Sequence, residues 1–123
     1  MVRTTAEIPK IIKVWTDAIS LQNPKIMTSF YCDNAVLLGT FSTPYEVGKD
    51  QIYDYFVDFL TAKKMSCIIL EQVCQQVGLV RVSSGVYEFT IDGKITRARF
   101  TYTLIPIRGE YKIINHHSSV YEG

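Results

Sequence analysis

Residues 79–105 read LVRVSSGVYEFTIDGKITRARFTYTLI, two apolar stretches joined by Asp92-Gly93. Both stretches are rich in Val, Ile, Tyr and Phe, residue types that favour β-strands. An Asp-Gly pair between such stretches is typical of a two-residue hairpin turn. The pattern predicts two long antiparallel strands, Leu79–Thr90 and Lys94–Ile105.

The second predicted strand alternates in side-chain character, and successive strand side chains point to opposite faces. One face carries the polar members of the strand, Arg97, Arg99, Thr101 and Thr103. The other carries the apolar members, Ala98, Phe100, Tyr102 and Leu104. Two arginines therefore share one face of a central strand.

The N-terminal part of the chain has helical periodicity. Apolar residues at helical spacing predict a first helix that ends near Leu21, with Thr4 and Glu7 as its capping box. Asn23-Pro24 is a typical helix start and predicts a second helix. A third helix is predicted from about Lys49 to about Ala62.

Further strands are predicted around these elements. Ala35–Leu38 forms a short buried strand before a turn near Pro44, and Ser66–Val77 forms a long one. Arg108-Gly109 marks the turn into the C-terminal strand. Helices followed by a long antiparallel meander predict an α+β fold in which a curved sheet wraps the helices and encloses a pocket. A length of 123 residues suits a single domain over residues 1–123.

Composition excludes several classes of function. The formal charge is +1, and no run of Lys or Arg interleaves with aromatic residues, so a nucleic-acid partner is not expected. Residues 1–10 lack an apolar signal region, and no stretch approaches the roughly 20 apolar residues that span a bilayer. We expect a cytoplasmic protein without a membrane partner. The three cysteines, Cys32, Cys67 and Cys74, are expected to be reduced and mostly packed.

The motif His116-His117-Ser118-Ser119 ends an otherwise apolar strand. Alternation places His116 and Ser118 on one face and His117 and Ser119 on the other. An unpaired imidazole or hydroxyl is costly in a core. This polar strand end is therefore the strongest functional signal in the sequence.

The order of elements, with Trp15 on the first helix, resembles the nuclear transport factor 2-like superfamily of cone-shaped α+β domains. That superfamily includes the calcium/calmodulin-dependent protein kinase II association domain. Within it, the chain resembles the iota-class carbonic anhydrases in five blocks. The blocks are Ala35-Val-Leu-Leu-Gly-Thr-Phe-Ser42, Asp54-Tyr-Phe-Val-Asp-Phe-Leu60, Ser84-Gly-Val-Tyr-Glu-Phe-Thr90, Arg97-Ala-Arg-Phe-Thr-Tyr102 and His116-His-Ser-Ser119. The departures are Gly39, where that pattern has proline, and Val120-Tyr121-Glu122 after the last block.

The resemblance implies a carbonic anhydrase that works without a metal or other cofactor and interconverts carbon dioxide and bicarbonate in a pocket of hydroxyl groups. Its site residues fall on Thr40, Tyr55 and Ser118, with His116 beside them and Arg99 as a support for the anion. Hydroxyl donors and a guanidinium can stabilise the charge that develops on the substrate oxygens. An imidazole with a pKa near 6.5 suits a general base at neutral pH.

Each of these residues also has a structural interpretation. Tyr55 can be a core tyrosine with its hydroxyl at the edge, and Thr40 can bond to its own backbone in a turn. Arg99 can pair with Glu88 across the sheet, and His116 can bond to a backbone carbonyl. A three-histidine metal site is excluded within one subunit, so we predict no metal, although a mixed-ligand site stays open.

Two other functions fit the same fold. A kinase association-domain type would be a non-catalytic oligomerisation or ligand-binding module, and a homodimer is expected in either case because a strand-rich sheet exposes apolar surface. An isomerase or cyclase would need a carboxylate base in the pocket. Asp54 and Asp58 flank Tyr55 but lie off its helical face, so this function ranks third.

Overall fold

A computed structural model of the chain describes residues 2–42 and 44–122. These residues form three α-helices: α1 (Lys10–Ala18), α2 (Pro24–Thr28) and α3 (Lys49–Phe59). A 3₁₀ turn, Ile19–Leu21, extends α1. None of the helices in these two ranges has the length and apolar character needed to cross a bilayer.

The same residues form one seven-stranded sheet in the order β1-β4-β5-β6-β7-β2-β3. Its strands are β1 (Val2–Thr5), β2 (Tyr31–Leu38), β3 (Glu46–Val47), β4 (Met65–Val77), β5 (Val80–Ile91), β6 (Lys94–Ile107) and β7 (Glu110–Val120). Every pairing is antiparallel except that of β2 with β7, which is parallel.

The hairpin predicted at Asp92-Gly93 is confirmed. Ile91 pairs with Lys94, and both turn residues have positive φ, 50° at Asp92 and 85° at Gly93. Positive φ at both central positions is the requirement of a type I′ turn, which matches the twist of the flanking strands. The long antiparallel meander therefore begins from local turn chemistry that is visible in the sequence.

The start of α2 is also as predicted, whereas that of α1 is not. Asn23 Oδ1 accepts hydrogen bonds from the backbone N–H groups of Lys25 and Ile26 and so caps α2. The capping box predicted at Thr4 and Glu7 is wrong, because Thr4 lies in β1 and pairs with Gln75 of β4. Four extended residues gain ladder hydrogen bonds at the sheet edge, and α1 begins only after Pro9.

The core lies between the helices and the concave side of the sheet. This inner face of the sheet carries Ala98, Phe100, Tyr102 and Leu104 of β6, all buried as the alternation predicts. Trp15 of α1 stacks on Tyr87 of β5 at a centroid distance of 5.8 Å. The convex side, which we call the outer face, carries Arg97 and Arg99, so these two arginines do share a face.

The curvature of the sheet depends on a bulge opposite a glycine. Ile69 of β4 pairs with Tyr87, and Glu71 pairs with Val86, so Leu70 is an extra residue in the ladder. Gly85 faces this bulge, and a Cβ at that position would lie 2.1 Å from the Glu71 carbonyl oxygen. A bulge bends the strand and increases its twist.

We predict that Gly85→Ala destabilises the protein by about 3 kcal/mol, since the added methyl group collides with backbone that cannot move without breaking the bulge. Chemical denaturation measures the change in the free energy of unfolding. Ser84→Ala, on the opposite face of the same strand, is the matched control and should change that free energy by much less. Equal stability of the two variants would contradict the steric role of Gly85.

Candidate functional site

Parallel pairing of β2 with β7 brings two predicted site residues together. Leu37 pairs with His116 and Leu38 with His117, so the residues that follow β2 run beside the end of β7. As a result, the Thr40 and Ser118 hydroxyl groups are in direct hydrogen-bond contact. The two residues are 78 positions apart in the sequence, and the pairing of β2 with β7 brings them together.

Tyr55 of α3 joins these two residues because residue 39 is a glycine. A Cβ at Gly39 would lie 2.2 Å from Tyr55 Cε1 and 2.6 Å from its hydroxyl oxygen. The proline that the iota-class pattern has at this position would collide with the same ring. Burial raises the pKa of Tyr55 to about 12, although hydrogen bonds from the backbone of Phe41 and Thr40 act in the opposite direction. Tyr55 is therefore a neutral hydroxyl donor at physiological pH.

His116 lies at the centre of a buried aromatic cluster. The Tyr31 hydroxyl is 2.8 Å from its Nδ1, and the Tyr87 hydroxyl is 3.1 Å from its Nε2. The Tyr102 ring stacks on the imidazole at a centroid distance of 4.0 Å, and the Trp15 ring meets it edge-on at 5.4 Å. His116 itself is 1% exposed.

This environment keeps His116 neutral. Burial, with a smaller contribution from neighbouring His117, lowers the pKa of His116 to about 3. Both ring nitrogens already have hydroxyl partners. The general-base role predicted for His116 does not fit this geometry, because a tyrosine hydroxyl lies at each ring nitrogen and the ring resists protonation near neutral pH.

A small enclosed cavity lies between His116 and the hydroxyl groups. Its volume is about 10 Å³, close to the space that one water molecule requires. The polar side chains in its lining are Thr40, Tyr55, Tyr87, His116 and Ser118. We call the four hydroxyl-bearing residues, Thr40, Tyr55, Tyr87 and Ser118, the hydroxyl cluster. The remaining lining is apolar, including Trp15, Phe56, Phe59 and Phe89.

Tyr55 and Phe59 also line a larger, open cleft of about 590 Å³ on the surface side of α3. Glu46 lies in this outer cleft, where Ser42 Oγ donates a hydrogen bond to its Oε1 at 3.1 Å. Among residues 2–42 and 44–122, the other carboxylate oxygen, Oε2, is buried and has no hydrogen-bond partner. Burial raises the pKa of Glu46. The side chain is close enough for its charge to raise the pKa of Tyr55.

Arg99 does not join the hydroxyl cluster. It pairs with Ser119 on the outer face of the sheet, whereas Ser118 points to the inner face. Its guanidinium carbon lies 4.5 Å from the centroid of the Tyr121 ring. The expected pairing with Glu88 is made by Arg97 instead, at 3.0 Å. The alternation that places both arginines on one face is thus the reason that Arg99 is separated from the cavity.

Sequence reasoning missed Tyr31, Tyr87 and Glu46. Tyr87 had a usable signal, since it alternates inward with Phe89 along β5. Glu46 had none, because its position beside Tyr55 depends on the short strand β3. Over residues 2–42 and 44–122, no three His, Cys, Asp or Glu side chains converge as a metal site.

Residues 8–122 match the SnoaL-like domain family. The chain belongs to this family. No curated protein matches it with significant sequence similarity. The predicted nuclear transport factor 2-like fold is confirmed by this match and by the solved structures that resemble the chain.

One similar structure is a Xanthomonas campestris protein named for the calcium/calmodulin-dependent protein kinase II association domain. The two chains are 32% identical, with a TM-score of 0.83, and the match covers 90% of this chain and 83% of the other. The predicted relationship to the association domain is therefore confirmed. The carbonic anhydrase class is not supported by these comparisons and stays a proposal.

Two more distant structures show the fold alone. A Streptomyces avermitilis protein named as a dehydratase has 8% identity and a TM-score of 0.82, with 92% of each chain covered. A ketosteroid isomerase-like protein from Erwinia carotovora atroseptica has 16% identity and a TM-score of 0.75, again with 92% of each chain covered.

The buried imidazole predicts a pH dependence of stability. His116 has an ordinary pKa near 6.5 when unfolded and about 3 when folded, so below pH 6.5 the unfolded state binds a proton that the folded state does not. This group alone should lower the free energy of unfolding by about 2 kcal/mol between pH 7 and pH 5. Denaturant titrations at a series of pH values measure the slope.

His116→Gln should lose this part of the slope, because the glutamine does not titrate. His117→Gln should keep most of it, since His117 is exposed and His116 remains in place. An identical pH slope in the wild-type protein and His116→Gln would show that the imidazole is not held neutral by the fold.

Proposed function

We propose that this protein is a metal-independent carbonic anhydrase, which interconverts carbon dioxide and bicarbonate in the small cavity beside Ser118. The observation that carries the proposal is the convergence of four neutral hydroxyl groups on a space the size of one water molecule. The names of the similar structures do not include this activity. The proposal therefore rests on the site and on the resemblance of five sequence blocks to the iota class.

The hydroxyl cluster suits the charge changes of carbon dioxide hydration. A water oxygen bonds to the carbon, a pair of C=O electrons moves onto a substrate oxygen, and one water proton is lost to leave bicarbonate. Tyr55 and the Thr40–Ser118 pair, in which one hydroxyl donates to the other and leaves the second proton available, can donate hydrogen bonds to the oxygens on which this negative charge develops. In a water-excluding aromatic pocket, such donors are worth more than they are in bulk water.

The size of the cavity favours a substrate with few atoms. A steroid or a polycyclic ring would have to displace Trp15, Phe56 and Phe89 from the core, at the cost of the packing that defines the cone. Carbon dioxide, water and bicarbonate are much smaller than such rings, and Tyr55, which lines both the cavity and the outer cleft, is the side chain whose outward movement would admit them. The third function considered from the sequence, an isomerase of ring compounds, does not fit this cavity, although the outer cleft of about 590 Å³ is lined by the carboxylates of Glu46, Asp54 and Asp58.

We assign acceptance of the water proton to a residue of the outer cleft, Glu46. His116 is held neutral with both nitrogens bonded, so it cannot take the proton. Glu46 is a partly buried carboxylate with one oxygen that has no partner within the described part of the chain, and its charge acts on Tyr55. A carboxylate with a raised pKa is a better proton acceptor than an ordinary surface carboxylate.

Stopped-flow hydration by purified, chelator-treated protein tests the proposal. We expect catalysis above the buffer rate that survives chelation. Ser118→Ala should lower kcat/KM by about 100-fold, the typical loss of one preorganised donor to a developing negative charge. Tyr55→Phe should have an effect of similar size, because it removes a second donor without changing the ring.

Two further variants sharpen this test. Gly39→Ala removes no hydroxyl group but forces Tyr55 out of place, so it should reproduce the loss of Tyr55→Phe. Tyr53→Phe, on the solvent side of the same helix, is the matched control and should keep full activity. Glu46→Gln should lower the rate above the pKa of Glu46, where the wild-type carboxylate is ionised and can accept the proton, and should change it least at acidic pH, where that carboxylate is already protonated. A folded wild-type protein without activity would refute the proposal.

A second proposed property, self-association, is favoured by the outer face of the sheet. This face exposes Ile68 and Val73 of β4 and Ile95 of β6, two strands separated by β5, with 55%, 42% and 60% of each residue accessible. Apolar side chains grouped in this way are typical of protein interfaces. The similarity to the kinase association domain supports the same inference, and a homodimer formed through the outer face would leave the cavity unaffected.

Light scattering on the purified protein should give twice the chain mass of 14.0 kDa. Ile68→Lys should shift the population toward the monomer, because a charge in the centre of the interface loses its hydration. Leu21→Lys adds the same charge at an exposed apolar residue on the helical side of the molecule and should leave the dimer intact. A monomeric wild-type protein at high concentration would exclude this property.

A further inference from the structure

A chain of hydrogen bonds runs from α1 to the cavity through His116. Trp15 Nε1 lies 3.1 Å from the Tyr31 hydroxyl oxygen, and that oxygen lies 2.8 Å from His116 Nδ1. On the other side of the ring, His116 Nε2 lies 3.1 Å from the Tyr87 hydroxyl. All four side chains are at most 2% exposed, so water does not compete for these groups.

Trp15 determines the direction of these hydrogen bonds. An indole nitrogen can only donate, so Tyr31 accepts from Trp15. The hydroxyl proton of Tyr31 then needs an acceptor, and His116 Nδ1 is the partner that lies within reach. If Nδ1 carried the proton instead, the Tyr31 oxygen would face two donors and its own proton would be buried without a partner. An unsatisfied buried donor is costly, because it loses its hydrogen bond to water and gains none in the folded protein.

The same reasoning orients Tyr87. A neutral imidazole has one protonated nitrogen, so with Nδ1 as the acceptor the proton is on Nε2. The Tyr87 oxygen accepts that proton, so its own O–H can point toward the cavity, where the hydroxyl groups of Ser118 and Thr40 lie close to Tyr87. Tyr87 lines the cavity together with Ser118 and Thr40. The Tyr102 ring stacks on the face of the imidazole and leaves both nitrogens to the other two tyrosines. Over residues 2–42 and 44–122 its buried hydroxyl has no hydrogen-bond partner of good geometry, and it lies near the Tyr87 hydroxyl.

We propose that Tyr87 is a further substrate-binding residue, whose O–H donates to an oxygen of a small anion such as bicarbonate in the cavity. His116 is a positioning residue, held as the Nε2–H tautomer by Trp15 through Tyr31. This inference rests on the proposed function for the identity of the anion. In this proposal His116 is a fixed neutral donor, whereas the role predicted from the sequence is that of a general base.

Nitrogen NMR of protein labelled with ¹⁵N-histidine tests the tautomer without reference to activity. We expect His116 to show a protonated Nε2 and an unprotonated Nδ1. Trp15→Phe removes the donor that sets the direction, so the His116 tautomer should become mixed. The signals of His117, which is exposed on the outer face, serve as the internal control. A wild-type spectrum with the proton on Nδ1 would overturn the assignment.

Titration with ¹³C-bicarbonate tests the role of Tyr87. Tyr87→Phe keeps the ring and its packing but removes the donor, so the Kd for bicarbonate should rise by about 10-fold or more. Tyr53→Phe should bind as the wild-type protein does. Since the titration measures binding alone, it does not depend on catalysis.

The outcomes separate the two proposals. Equal bicarbonate affinity in the wild-type protein and Tyr87→Phe would overturn the role of Tyr87 and leave the proposed function intact. A wild-type protein that does not bind bicarbonate would overturn the proposed function and the substrate role of Tyr87 together. In that case the tautomer of His116 is still decided by the NMR spectrum.

Discussion

The neutral imidazole of His116, bonded on both nitrogens by buried tyrosines, is the interaction on which the site depends. It connects three elements that are distant in the sequence, since Trp15 belongs to α1, Tyr31 begins β2 and Tyr87 belongs to β5. A buried imidazole is costly unless its polar atoms are satisfied. Satisfying them fixes how α1 packs against the inner face of the sheet and how the start of β2 is placed beside β7.

The same packing explains why polar chemistry is found inside so apolar a cone. Ser118 follows His116 by two residues and therefore points to the same face of β7. Parallel pairing with β2 then brings Thr40 to Ser118, and the absence of a side chain at Gly39 admits the Tyr55 ring. Each hydroxyl is thus positioned by a backbone feature, namely strand alternation, strand order or a missing Cβ. None depends on a long, flexible side chain, so little conformational entropy is lost when a ligand binds.

Most of the fold could be predicted from local patterns, whereas the site could be predicted only in part. The type I′ turn at Asp92-Gly93, the Asn23 cap and the alternation of β6 all depend on neighbouring residues and were visible in the sequence. The edge strands β1 and β3 were missed because they are short and depend on distant partners. For the site, alternation grouped His116 with Ser118, and the family resemblance added Thr40 and Tyr55. The site role predicted for Arg99 came from the family resemblance. The alternation of β6 already placed Arg99 on the face opposite to the buried Ala98 and Phe100, and therefore away from the cavity.

The aromatic side chains on the concave side of the sheet restrict the size of the ligand that the cavity can admit. Folds of this kind host proteins named as dehydratases and isomerases, and fold alone does not settle an activity. Here Trp15, Phe56, Phe59 and Phe89 occupy the space beneath the helices, and only about 10 Å³ is left beside the hydroxyl cluster. Enlarging that space would remove ring contacts from the aromatic cluster around His116, which excludes water from the imidazole and keeps it neutral. Ligand size and the state of the imidazole are therefore coupled, because a residue change that admits a larger ligand also weakens the environment that orients Tyr87.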